Sequence, residues 1–318
     1  MDRHPPLITL SRGRQGGALI YLESPELILK YNVKNTPCNL CEQSKEKLIT
    51  IQNSFRMVAC KNCGFIYANP RPDWETLKGL YQTYHSRNSK GVESWAVLMD
   101  RIFKEIACFI SNQFPYSGKL LDIGCGYGHF INIMGSYGWD AYGLEPSSAV
   151  SYTRTKQLKI VHGTLDDVRY NPNSFDVITM FYVLEHLIDP VGALLKVNNI
   201  LKPGGILILR VPHSTPIVRL LSILGIENNL YDLPFHLSDF SPETIRRILE
   251  KTGFKAIRTF PGEFTNPEKF LERGITILTG EGAKLLYWLS RGKCLLPGVS
   301  KTTIAEKSPV FLKNKENK

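Results

Sequence analysis

The chain reads as an α/β protein: a Rossmann-like sheet of mainly parallel strands, preceded by a small four-cysteine module. Three observations predict this. The apolar run Lys119-Leu-Leu-Asp-Ile123 enters a turn with glycine at 124, 126 and 128, and a helical pattern from His129 to Met134 follows at once. From there to Phe260, runs of strand length alternate with helical stretches, which implies a parallel sheet with right-handed crossovers. Upstream, Cys38-x2-Cys41 and Cys60-x2-Cys63 are separated by eighteen residues.

Residues 1–34 form an N-terminal extension. Its start, Met1-Asp-Arg-His-Pro-Pro, lacks the basic flank and apolar run of a secretory leader. Residues 35–72 read as a zinc ribbon. Thiolates spaced by two bite one tetrahedral ion from a tight turn, so Cys38, Cys41, Cys60 and Cys63 are the expected ligands of one Zn2+. With four protein ligands such a site is closed and structural, since a catalytic zinc keeps an open position. Redox or disulfide pairs are the other reading of these cysteines. Lys47–Ile51 and Phe55–Val58 read as hairpin strands, with Phe65–Tyr67 as a third. Cys108, Cys125 and Cys294 are scattered, so no disulfide framework is expected, in keeping with a reducing cytoplasm.

Residues 73–115 read as a helical cover and linker. Asn69-Pro-Arg-Pro72 makes an extended stop, and Asp73 caps a helix from Trp74 to Tyr84 with Leu77, Leu80, Tyr81 and Tyr84 on one side. A polar linker, 85–93, leads to a helix from Trp95 to Phe114. After the glycine turn, Asp140–Leu144 is a strand ending in Glu145, an acid placed to hold ribose hydroxyls. Lys159–His162 and Ser174–Met180 are the next strands. A helix from Val191 to Leu201 is stopped by Lys202-Pro-Gly-Gly205, and Ile206–Val211 is the fifth strand. The long connection 213–240 has the character of a lid. Ser241-Pro opens a helix closed by Gly253, Phe254–Phe260 is a sixth strand, 267–291 a helical insert, and Ser300–Glu306 a seventh, antiparallel strand.

The turn spacing separates two ligand classes. The dinucleotide fingerprint is G-x-G-x-x-G, and its third glycine would fall where this chain has His129. The spacing here is G-x-G-x-G, with Asp122 inside the strand. Together with "LEHLIDP" and "LKPGGILIL", this resembles the class I S-adenosylmethionine-dependent methyltransferases. The resemblance is strongest over 116–260, within an expected domain of 116–312.

It implies a role for particular residues. Asp122, Gly124, Gly126 and Gly128 would lie under the amino-acid part and ribose of S-adenosylmethionine, and Glu145, followed by Pro146, would bind the ribose hydroxyls. Thr164, Leu165 and Asp166 would flank the adenine. Phe181 and Tyr182 would stand near the sulfonium, with Tyr182 also at the catalytic end. His186, His213 and His236 are the candidate bases, His186 first, because related sugar methyltransferases place a histidine there. Tyr81 or Tyr84 would pack in the core or touch cofactor or substrate.

The 318 residues carry a net charge of +10, spread along the chain. That balance suits nucleic acid, an anionic membrane surface, phosphorylated substrates or an ordinary solvated surface. No run reaches the length of a membrane span. There is no Asn-Pro-Pro-Tyr after the fourth strand, which argues against methylation of adenine amino groups. Relatives that methylate carbon on nucleotide sugars often carry a further C-terminal domain that this chain is too short to hold. The expected reaction is therefore O-methylation of a sugar, glycan or other small hydroxylated metabolite. An RNA methyltransferase gripping nucleic acid through its ribbon, and a non-catalytic scaffold, are the alternatives. The insert 267–291 would pack on the core, form a dimer contact or touch a membrane surface as a peripheral element.

Overall fold

The computed structural model describes residues 32–78, 91–147, 149–150, 158–265, 270–292, 295 and 300–309. Leu80, Tyr81, Tyr84 and Cys294 lie outside the described residues. In chain order the strands and helices are β1 (Val33–Lys34), β2 (Glu46–Gln52), β3 (Phe55–Cys60), β4 (Ile66–Ala68), β5 (Arg71–Pro72), α1 (Gly91–Gln113), β6 (Lys119–Ile123), α2 (His129–Ser136), β7 (Asp140–Glu145) and β8 (Lys159–His162). They continue with β9 (Phe175–Phe181), α3 (Pro190–Ile200), β10 (Leu201–Val211), α4 (Thr215–Ile223), β11 (Ser238–Asp239), α5 (Pro242–Lys251), β12 (Phe254–Phe260), α6 (Phe270–Leu289) and β13 (Lys301–Lys307).

Seven strands form the central sheet in the order β12-β13-β10-β9-β6-β7-β8. The β8, β7, β6, β9 and β10 pairings are parallel, and β13 runs antiparallel to both of its neighbours. The order reverses at β6, between β7 and β9, so a crevice opens beyond the carboxyl ends of these strands. One face of the sheet is covered by Met99, Ile102, Phe103, Ile106 and Ile110 of α1 with Phe130 and Met134 of α2. The other is covered by Leu194 and Val197 of α3, Ile245 and Leu249 of α5, and Phe65 and Tyr67 of the cysteine module. Phe65 packs against Phe240 with centroids 5.4 Å apart, so the module shares the main core instead of hanging from it.

Local chemistry explains the helix starts. Asp189 accepts from the amide of Gly192 at 2.9 Å, with Pro190 at the first helical position of α3. Ser241 and Thr244 cap α5 reciprocally. Residues 74–78 are helical, and Asp73 accepts from the Thr76 amide as expected.

Four features differ from the sequence reading. The helix α1 begins at Gly91, inside the expected linker. The ladder of β10 starts at Leu201 and jumps register before Ile206, so Lys202-Pro-Gly-Gly205 is a bulge in the strand's edge and not a turn ahead of it. The lid contains α4, and its β11 joins the cysteine module: the second sheet is β11-β4-β3-β2, with Ser238 opposite Tyr67 and Asp239 opposite Ile66. On the insert, Tyr287 donates to Thr259 O at 3.0 Å and Ala283 is buried, yet Leu278, Leu285, Trp288 and Leu289 of α6 stay exposed. No described helix is long and apolar enough to cross a membrane.

Candidate active site and four-cysteine centre

The glycine turn is tied to the tip of β7. The amides of Gly124 and Cys125 both donate to Leu144 O, at 2.7 and 3.3 Å. Gly124 has φ +71°, and a Cβ there would stand 2.3 Å from a methyl of Val183, so the loop after β9 packs directly on bare backbone. Gly126, at φ +52°, has open space where a Cβ would be. Gly128, at φ +73°, immediately precedes α2.

Glu145 closes this cradle. Its Oε2 accepts from the Gly126 amide at 2.8 Å and its Oε1 from the Ser147 amide at 2.9 Å. Both oxygens retain acceptor capacity, since a carboxylate oxygen has more than one lone-pair direction. A fixed, nearly buried, acceptor-only group beside an open stretch of glycine backbone fits the ribose diol and main chain of S-adenosylmethionine.

Asp122 faces the sheet interior. Thr179 Oγ1 donates to it at 2.7 Å, and burial, with Glu145 nearby adding to the effect, pushes its pKa up to about 7. It therefore braces the strand under the turn.

The other expected cofactor residues have these surroundings. Thr164 donates from its amide and hydroxyl to Asp167 at 2.8 and 2.7 Å, Asp166 is ion-paired with Lys196, and Leu165 packs against the core. Pro146 is exposed at the end of β7. Phe181 is buried, its ring 4.9 Å from Phe130 and 5.2 Å from Phe103.

The segment after β9 carries the remaining chemistry. Tyr182 has φ +57°, a costly conformation for an aromatic residue. Its hydroxyl accepts from Arg210 Nε at 3.0 Å, and Arg210 is itself anchored to Thr302 and Glu263. The left-handed step turns the chain into a single 3-10 turn, Leu184–His186. His186 Nδ1 lies 2.9 Å from Phe235 O of the lid, and its ring meets His236 edge-on at 4.7 Å. Burial, then repulsion from His186, takes the His236 pKa down to about 3. Glu185 was not singled out from the sequence. It is fully buried, its carboxyl oxygens have no hydrogen-bond partner, and burial pushes its pKa up to about 8.

The three candidate bases are thus divided. His186 and His236 meet, while His213 stands at the exit of β10, buried, with Nδ1 unpartnered. Burial first, and then the Lys301 charge, lower the His213 pKa to about 4, against the attraction of Asp239.

The four cysteine sulfurs lie within 4.8 Å of one another, with Cys38–Cys63 at 3.5 Å and Cys41–Cys60 at 3.4 Å. A tetrahedron with Zn–S of about 2.3 Å has edges of about 3.8 Å, so the donor set fits Zn2+ with a small expansion. Burial leads the rise of the Cys38 thiol to about 11, with the neighbouring Cys60 adding to it. The module also grips the active-site turn: Arg71 and Asn39 both donate to Ile188 O, at 2.7 and 3.3 Å.

A family profile described as a methyltransferase domain matches residues 95–259. A ubiquinone biosynthesis O-methyltransferase from Cereibacter sphaeroides is 25% identical over 197 residues, covering 58% of this chain and 78% of that protein. The human mitochondrial ubiquinone biosynthesis O-methyltransferase is 27% identical over 209 residues, 61% of this chain and 56% of that protein. A crystal structure of a SAM-dependent methyltransferase from Thermotoga maritima, described as a possible histamine N-methyltransferase, aligns with a TM-score of 0.46 at 18% identity. That alignment covers 70% of this chain and 97% of the other.

Proposed function

The chain belongs to the methyltransferase domain family and is an S-adenosylmethionine-dependent methyltransferase; from that premise we propose that it methylates a hydroxyl oxygen of a sugar, glycan or other small hydroxylated metabolite. The O-methyltransferase names of the relatives support oxygen as the accepting atom. The observation that carries the reading is the contact between Gly124 and Val183. Val183 packs on the glycine turn, and its carbonyl accepts from the His186 amide at 3.0 Å. The residues suited to the cofactor and those suited to an acceptor's proton are therefore built on one rigid junction.

S-adenosylmethionine, when bound, supplies a methyl group activated by the sulfonium. The chain's part is to hold that donor against an acceptor and to accommodate a proton. Glu145 and the Gly124–Gly128 backbone orient the adenosyl and amino-acid parts. His186 directs Nδ1–H at Phe235 O, which leaves Nε2 as its basic nitrogen. Tyr182, fixed by Arg210, borders the same junction. We assign Zn2+ to Cys38, Cys41, Cys60 and Cys63 as a structural ion that shapes the module holding Ile188 and the lid.

The test is methyl transfer from radiolabelled S-adenosylmethionine to panels of sugars, glycans and phenolic or aliphatic alcohols. Cofactor binding is measured by calorimetry on the same protein. Labelled ether product confirms the reading. Cofactor binding accompanied by label only on nitrogen or carbon acceptors, or on RNA, overturns it.

A further inference from the structure

We propose that Arg71 is the built-in countercharge of the four-cysteine centre, a buried cation that balances the thiolates and steadies their ion. The proposal rests on the assignment of Zn2+ to that centre. Four thiolates outweigh the charge of one Zn2+, so the loaded centre is an anion. Cys38 is 0% and Cys60 2% exposed, which takes much of that charge out of water. A charge so placed is costly unless one of opposite sign stands by it.

Arg71 has the complementary need. It is 3% exposed, and its described hydrogen-bond acceptors are neutral: Asn39 Oδ1 at 2.6 Å and Ile188 O at 2.7 Å, both reached from Nη1. Nε and Nη2 are buried and have no hydrogen-bond partner. The ionisable groups in electrostatic reach of the guanidinium are Tyr67, Cys38 and Asp189. The Tyr67 ring lies beneath it at 5.3 Å, and burial pushes that phenol up, so it stays neutral. Asp189 is exposed, and its Oδ1 is taken by the Gly192 amide at the start of α3. That leaves the cysteine centre as the buried anion for Arg71.

The other cations around the knuckles are engaged and wet. Lys251 of α5 donates to Leu40 O at 2.9 Å and pairs with Glu42, and Arg247 pairs with Glu243 at 2.7 Å, all with exposed side chains. Arg71 is also the one held stiffly. Prolines at 70 and 72 restrict the chain on either side of it, and β5 is paired with β1, Arg71 opposite Lys34. The guanidinium within reach of Cys38 is the same one that holds Ile188 O, so the charge of the centre bears on the turn that follows His186.

The experiment withdraws zinc from the full-length protein by competition with a chromophoric chelator, and exchanges Co2+ into parallel samples to read the thiolate-to-metal absorption. Arg71→Gln removes the charge and keeps a polar group; Arg71→Lys keeps the charge. Arg71→Gln is expected to weaken zinc retention roughly 10–100-fold, the scale of losing a group behind a metal's ligands. Its thiolate-to-cobalt band should move to longer wavelength, because no cation then lowers the energy of the sulfur electrons. Arg71→Lys should return both readings towards wild type. An arginine that only bridges Asn39 and Ile188 gives equal losses in the two variants and an unmoved band; that result, or Arg71→Gln holding zinc like wild type, overturns the proposal. If Arg71→Gln does not fold, Arg71→Lys decides: zinc retention within a few-fold of wild type supports the countercharge, and a loss of roughly tenfold or more overturns it. Wild type that holds no zinc and develops no thiolate band with Co2+ overturns the zinc assignment itself, and this proposal with it.

Discussion

Arg71 on β5 donates from Nη1 to the carbonyl oxygen of Ile188 at 2.7 Å, and the same nitrogen donates to Asn39 at 2.6 Å. This buried guanidinium joins the cysteine module to the turn that follows His186. Arg71→Ala leaves the Ile188 carbonyl with only the longer Asn39 bond and opens a hole beneath it. Its expected cost is about 1–3 kcal/mol, the range for a buried group losing its partner. Urea denaturation of wild type and variant measures it, and an unchanged midpoint would mean the two units are coupled elsewhere.

Metal removal should act in the same direction. Purified protein is expected to contain about one zinc on the four cysteines, by the four-ligand count. Cys60→Ser should lower the melting temperature and solubility, because binding of a structural ion is part of the folding free energy. Emission spectrometry and thermal melts decide this; zinc-free protein with a wild-type melt contradicts it.

Glu145→Ala should weaken S-adenosylmethionine binding by roughly 1–3 kcal/mol, the scale of charge-assisted hydrogen bonds. The amides of Gly126 and Ser147 also lose their acceptor, so Glu145→Gln, which keeps one carbonyl oxygen, should lie between the two. Calorimetry with equal affinities across the three proteins rejects the assignment.

His186→Ala should reduce turnover by roughly 10²–10⁴, as expected when the group managing the acceptor's proton is lost. Cofactor affinity should change little, since Glu145 and the glycine turn lie on other elements. His213→Ala is the contrast: if it abolishes turnover while His186→Ala stays active, the chemistry belongs to the exit of β10.

The pH dependence of stability should carry the mark of His213. Its folded pKa, about 4, lies below its ordinary value of 6.5 because of burial and Lys301. The unfolded chain therefore binds the proton more readily, and stability is lost as pH falls from about 6.5 towards 4. His213→Asn should flatten that slope, by an amount on the order of 2 kcal/mol between neutral and acid conditions. Denaturant midpoints at pH 7.5, 6 and 5 measure it, and parallel slopes for both proteins dismiss the idea.

Much of this was legible in the residues. Period and punctuation located the seven strands of the main sheet to within a few residues, because buried parallel strands are apolar runs bounded by glycine, proline or charge. The glycine turn and Glu145 stand where the spacing put them, after β6 and at the tip of β7, because that spacing is dictated by backbone geometry. The burial of Phe181 against Phe103 and Phe130 could not be read, since an aromatic at a strand's end looks alike whether it faces core or cleft. The 3-10 turn left no signal in the sequence, because nothing local announces that Tyr182 adopts a positive φ. Pairing of β11 with β4 involves two residues on each side, too few to leave a pattern. Glu185 was hidden by its neighbour: a charged residue beside a histidine looks solvated until the lid is seen to cover it.

The register of Ser238 against Tyr67 has a consequence for biosynthesis. The ribosome releases the cysteine module long before it makes residue 238. Through that interval β4 presents an unsatisfied margin, the kind that recruits strands from other chains. Phe65, too, lacks the Phe240 ring that later covers it. The nascent N-terminal part should therefore depend on holding chaperones, and fragments truncated before the lid should aggregate through that margin rather than persist as monomers.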